Sequence, residues 1–163
     1  MNNNQDFEEF VKRQQKLVHE PQINWANERA EWLAKLDQLY KKVESLLSKY
    51  LSAGEIKLEY KAVQLQEENI GPYDAREVIL HIGRQQVLLV PVGTMVLGAK
   101  GRVDVIGPAG RAQVLLVERP PSPNPPPDDA NLEWKIVTRP PERRFLELTQ
   151  QSLFQLIMEV ANG

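Results

Sequence analysis

The sequence predicts an α+β domain: two N-terminal helices, an antiparallel β-meander of about five to seven strands and a C-terminal helix, with helices covering one face of the sheet. Three observations carry this. Apolar residues recur at helical spacing through residues 1–54. From Glu55 the period drops to two, in short β-branched runs separated by glycine turns. The connections between those runs are too short for crossover helices, so the strands pair antiparallel. The 163 residues suit a single domain, divided into a helical hairpin (1–54), a sheet region (55–147) and a closing helix (148–163).

Phe7, Phe10, Val11, Leu17 and Val18 share one helical stripe, and Pro21 ends that run. Asn24 or Asn27 caps the second helix. Within it Leu36, Tyr40, Val43, Leu47 and Tyr50 step by four, three, four and three, a seam of period 3.5. Trp25 and Trp32 widen the apolar face, and Glu31/Lys35 and Asp37/Lys41 are oppositely charged pairs four apart. Gly54 is a natural C-cap. The run EIKLEYKAV alternates Ile56, Leu58 and Tyr60 against charge, as a half-buried strand does. A turn around Gly71 to Asp74 leads to EVILHI, QQVLLVPV, RVDVI and AQVLLVE; LEWKIVT and FLEL complete the strands. Residues 119–131, RPPSPNPPPDDAN, hold six prolines and form a stiff exposed loop. Thr149 caps the last helix, whose apolar face holds Leu153, Phe154, Leu156, Ile157 and Val160.

Composition excludes several function classes. The chain has no cysteine, hence no disulfide, thiolate metal site or cysteine nucleophile. The net charge is −2, and no basic excess marks a duplex-binding surface, so nucleic acid is an unlikely partner. No apolar run approaches the ~20 residues of a membrane helix. The polar, acidic start MNNNQDFEEF is unlike a secretory signal, so the expected location is cytoplasmic. HExxH, G-x-S-x-G and Walker A patterns are missing, and the two histidines lie outside any metal-ligand spacing. No catalytic set, metal site or cofactor is expected.

The stretch GAKGRVDVIGPAGRAQV states G-x-x-G-R twice, nine residues apart. Glycine loops cradle phosphate when they open a helix. Both of these open strands, so they read as hairpin turns, with Pro108 presetting φ and Gly110 free to be left-handed. The joining strand spans roughly 17 Å, which keeps Arg102 and Arg111 apart.

Four groups of residues remain as candidate surfaces. His81, Arg102, Asp104 and Glu118 form a candidate site on the exposed sheet face, where His81, a natural general base near neutral pH, faces Asp104 if the strands align. A two-strand nuclease pattern through Asp104 and Glu118 fails because Pro120 stands where a lysine is needed. Trp25, Trp32, Leu36, Tyr40, Val43, Leu47 and Tyr50 form a candidate interaction surface, or else the chain's own packing face. Tyr73 and Asp74 sit in a polar loop suited to recognition. Arg139, Arg143 and Arg144 form a basic patch better matched to acidic protein than to bases. Pro120, Pro123 and Pro126 give P-x-x-P spacing, the pattern that SH3-like domains read.

Trp32-Leu33 with Leu36, Glu67-Glu68 with Gly71 and Tyr73, Pro91-Val92-Gly93, Gly98 to Asp104, Trp134, and Leu148-Thr149 through Phe154 together resemble a set of small bacterial proteins of unknown function. The resemblance covers most of the chain from Trp25 onward. It implies a bacterial cytoplasmic protein and no activity, cofactor or partner. The leading expectation is therefore a non-enzymatic protein-interaction or assembly domain, binding a protein partner or forming a homo-oligomer. The alternatives are a small-molecule binder or enzyme using the sheet face, and a nucleic-acid accessory using the arginines.

Overall fold

A computed structural model of the chain describes residues 3–19, 24–94, 99–119, 132–138 and 143–162. The element order is α1 (Asn3–His19), α2 (Trp25–Leu46), α3 (Ser48–Ser52), β1 (Ile56–Glu67), β2 (Gly71–Ile82), β3 (Gln85–Gly93), β4 (Gly101–Gly107), β5 (Gly110–Glu118), β6 (Leu132–Val137), β7 (Phe145–Glu147) and α4 (Gln150–Asn162). The seven described strands form one antiparallel sheet in sequence order. No helix among the described residues is long and apolar enough to cross a membrane.

Asn24 caps α2, its side chain accepting from the Asn27 N–H at 3.2 Å. The expected long second helix is divided at Leu47, whose ψ of 7° interrupts the regular dihedrals. The hydrogen bonds Leu47 N–H to Val43 and Leu51 N–H to Leu47 carry the chain through this joint, and Gly54 follows α3 at φ +75°. At the other end of the chain, Ser152 N–H donates to the Thr149 hydroxyl oxygen at 3.1 Å while Thr149 N–H donates to Ser152 Oγ at 2.8 Å. This is a reciprocal cap with serine in the place of the usual glutamate.

Strand parity assigns the two sheet faces. Leu80, Val87, Leu89, Val103, Val105, Val114 and Ile136 face inward and are nearly fully buried. α2 and α4 cover this face from opposite ends of β4. Trp32 of α2 lies on Gly101, where a Cβ would stand 2.3 Å from its ring. Val160 of α4 lies on Gly107, where a Cβ would stand 2.3 Å from its carbonyl oxygen. The Trp134 indole N–H donates to the Lys35 carbonyl at 3.0 Å, and Ala109 N–H to the Val160 carbonyl at 2.8 Å. α3 joins the two helical elements through an edge-on contact of Tyr50 with Phe154, ring centroids 5.7 Å apart.

The β1–β2 hairpin changes its inward parity midway. Ile56, Leu58 and Tyr60 turn inward on the near half of β1, and Val63 and Leu65 on the far half. On β2, Tyr73 and Ala75 are buried before the shift, Val78 and Leu80 after it. Pairing runs unbroken across the change. β3 pairs only with residues 78–82 of β2. The far half is thus a two-stranded ribbon, which twists more strongly than a wide sheet. That twist brings Tyr73 to Trp32, into the core.

Two turn expectations change. The β1–β2 turn is Glu68-Asn69-Ile70, with Gly71 left-handed at φ +82°, so Pro72 to Asp74 lie within β2. Gly110 has no positive φ; Pro108-Ala109 makes the β4–β5 turn without a left-handed residue. Gly101 and Gly107 serve close packing against helices, which explains half of the repeated G-x-x-G pattern. α1 also departs from the expected helical hairpin: residues 4–15 are all exposed rather than folded back on α2.

Candidate functional site

The sheet face turned away from α2 and α4 carries Arg102 and Asp104 side by side on β4. Asp104 is buried, and Arg102 grips it through Nε at 2.7 Å and Nη2 at 3.0 Å. The hydrogen bond to Asp104 raises the guanidinium pKa, against a smaller opposing effect of burial. His81 shares this face on β2, but its Nε2 lies 2.9 Å from Glu59 Oε2 and its Nδ1 3.4 Å from Gln86 Nε2. In register His81 is level with Gln86, and Asp104 with Val90. Four residues along the strand and two strands across amount to roughly 16 Å. His81 therefore does not face Asp104.

Glu118 does not join them either. By parity it belongs with Val114 and Leu116 on the helix-covered side, at the exposed end of β5, where Lys100 Nζ stands 3.9 Å away. The four-residue sheet site is thereby corrected: a strand alternates faces, and residues 104 and 118 fall on opposite ones. What remains is two separate, satisfied pairs. Among the described residues no three His, Cys, Asp or Glu side chains gather closely enough to hold a metal ion.

The seam on α2 is the chain's own core. Trp32, Leu36, Tyr40, Val43 and Leu47 are all buried against the sheet, so these five are corrected as a docking surface. Trp25 and Tyr50 are half-buried. Tyr40 donates its hydroxyl to the Arg76 carbonyl at 2.6 Å, and burial raises its pKa. Arg76 lies over the Tyr60 ring, 4.2 Å from its centroid, and pairs with Asp37 at 3.1 Å. Tyr60 donates to Glu44, and its pKa is pushed up to about 12 by burial first and by that hydrogen bond second.

Tyr73 is corrected from an exposed loop aromatic to a buried strand residue. Its hydroxyl donates to Glu67, and burial followed by this hydrogen bond raises its pKa. The other Glu67 oxygen accepts from Thr94 N–H and Thr94 Oγ1, both at 2.8 Å. Gly93 permits the approach, since a Cβ there would lie 2.8 Å from the carboxylate. Among the described residues the buried Trp32 indole N–H has no hydrogen-bond partner. This cluster fastens the hairpin tip to the end of β3. Asp74 stays exposed beside a shallow groove between α2 and the hairpin. Arg143 and Arg144 are exposed. Arg139 and the prolines of the 119–131 loop lie outside the described residues.

The surface that sequence reasoning passed over is α1. Phe7 is 68% exposed, Phe10 52% and Val11 37%, and the two rings stack on each other at 6.4 Å. Their spacing marked one helical face but not whether the chain itself would cover it. The signal was the neighbourhood: residues 1–16 hold only these apolar side chains besides Met1, too few to drive docking onto the body.

With the geometry in view, the chain matches no protein-family model, no curated protein and no solved structure. Fold and surface together define a class: an antiparallel sheet closed on one face by helices, with an additional amphipathic helix outside its core.

Proposed function

We infer that the protein is a non-enzymatic interaction domain whose docking element is α1. The observation that supports this is the bare stripe of Phe7, Phe10 and Val11 on a helix whose residues 4–15 are all exposed. Exposed large apolar groups in one patch are the mark of a binding surface, whereas scattered ones are ordinary. Among the described residues, the satisfied pairs Arg102–Asp104 and His81–Glu59 leave the sheet face without an assembled reactive group. Among the described side chains, none of the buried core residues belongs to α1.

The informative truncation therefore ends before Asn24. Removing residues 1–54 would take away α2 and expose the core. Native mass spectrometry and thermal melting should compare the full chain with a chain beginning at Asn24. The expected result is a stoichiometric complex for the full chain, its loss on truncation, and an unchanged melting temperature. A complex that survives the truncation would overturn the assignment of α1.

A further inference from the structure

We propose that the partner is a second copy of this chain, docked antiparallel along α1. This rests on α1 being the docking element, and it follows from how charge flanks the apolar stripe. At 100° per residue, Phe7, Phe10 and Val11 share one stripe of about a third of the helix circumference. Asp6 and Arg13 lie together on one side of it. They are seven residues apart, two turns, and opposite in sign. Asn4 and Gln15 lie on the other side. Glu8 and Lys12 pair within the helix at 3.8 Å, toward its outer face. Among the described residues neither Asp6 nor Arg13 has an ion-pair partner in the chain.

In an antiparallel helix pair each flank meets the same flank of the other copy; in a parallel pair it meets the opposite flank. A two-fold axis passing between residues 9 and 10 sets Asp6 against Arg13 of the second copy, and Arg13 against its Asp6. The same axis sets Asn4 against Gln15, amide to amide. Phe7 and Phe10 from both copies then interleave at the centre. Both flanks and the aromatic centre share a single axis position. A parallel pair would set Asp6 and Arg13 against the uncharged Asn4 and Gln15, leaving the charges unpaired. The antiparallel arrangement also has the two chains leave the contact toward their folded bodies from opposite ends. The contact is small, so the dimer is concentration-dependent.

Sedimentation equilibrium on the full chain tests this through charge exchange. Asp6→Arg makes the flank wholly cationic and Arg13→Asp makes it wholly anionic. Each single variant should weaken its homodimer roughly tenfold, because two attractions become two repulsions. An equimolar mixture of the two should form a heterodimer in preference to either homodimer, and the double variant should regain wild-type dimerisation. Circular dichroism on each variant checks that α1 stays helical. A dimer indifferent to these exchanges, or a mixture without preference, overturns the antiparallel pairing. A full chain monomeric at all concentrations overturns the second copy as partner. In that case a stoichiometric complex with a different protein, lost on truncation at Asn24, would leave α1 as the docking element and remove only the self-pairing. A dimer that persists without α1 removes both.

Discussion

Gly107→Ala tests how closely α4 is held to the sheet. Gly107 has no positive φ, so alanine meets no backbone strain there. Taken alone, the loss of unfolded-chain freedom would stabilise the protein by about 0.4–1 kcal/mol. Space decides the sign instead. The new Cβ would lie 2.3 Å from the Val160 carbonyl oxygen and 2.6 Å from its carbon, both backbone atoms. Ordinary contact begins near 3.4 Å, so α4 must withdraw by about an ångström. Withdrawal loosens Val160, which is fully buried, and stretches the 2.8 Å bond from Ala109. Overpacking of this kind costs about 1–3 kcal/mol, and a loosened hydrogen bond about 1 kcal/mol more. The net loss is about 2–3 kcal/mol, a fall in Tm of about 4–12 °C for a chain of this size. Urea unfolding followed by circular dichroism reads it directly. Gly83→Ala is the control, since φ is +60° there and nothing lies within 4 Å of the new Cβ. It should cost only the strain of a left-handed alanine, about 1 kcal/mol. A Gly107→Ala protein as stable as wild type would refute the close approach of α4.

Other perturbations address the remaining contacts. Tyr73→Phe removes one donor from the buried Glu67 carboxylate and should cost about 1–2 kcal/mol in urea unfolding; an unchanged midpoint would show that the hydroxyl does not hold the hairpin tip. Asp104→Ala leaves Arg102 without its partner, but that side chain is 30% exposed and can turn to water, so the loss should be about 1–3 kcal/mol rather than that of a fully buried pair. Tyr40, Tyr60 and Tyr73 all have raised pKa values, so the unfolded chain gives up its tyrosine protons first as pH climbs. Their contribution to stability is complete below the ordinary tyrosine value of 10.0, and that of Tyr60 is lost as pH rises through about 12; tyrosinate absorbance against pH should show ionisation tied to unfolding, and free ionisation in the folded protein near the ordinary value would contradict it. Starting the chain at Asn24 should move Tm by no more than a degree or two, because the described side chains of α1, residues 4–15, are all exposed.

The alternation of residues 56–60 and the runs after Gly83 were enough to place the strands and their antiparallel order, because a half-buried sheet writes its pleat into the sequence. The caps at Asn24 and Thr149 were legible for a similar reason: each depends on one side chain reaching two or three residues along the chain. The candidate site was legible only in part. Whether Asp104 and Glu118 share a face depends on counting through a turn of known length. Whether His81 reaches Asp104 depends on register, which strand composition leaves open. Tyr73 was misplaced because the hairpin exchanges its inner and outer faces, and that twist comes from the far half of β2 having no third strand beside it among the described residues. The α2 seam was visible as a seam, but a 3.5-residue repeat fits a partner helix and a sheet equally well. Only the packing of Trp32 on Gly101 and of Tyr40 on the hairpin decided between them.

The placement of α4 also bears on how the chain is made. It is the final described element, and its thirteen residues include Leu153, Leu156, Ile157, Val160 and Ala161, all buried. It packs on β3, β4 and β5, the middle of the sheet. During synthesis those strands can pair in order as they leave the ribosome, since each neighbours the one before it. Their apolar face, however, stays open until α4 has emerged. A chain stalled before Thr149 would hold a nearly complete sheet with its centre uncovered, ready to stick to another such chain. Folding of this protein therefore turns on α4: before its thirteen residues pack, the chain is an aggregating intermediate, and once they pack the sheet face is closed.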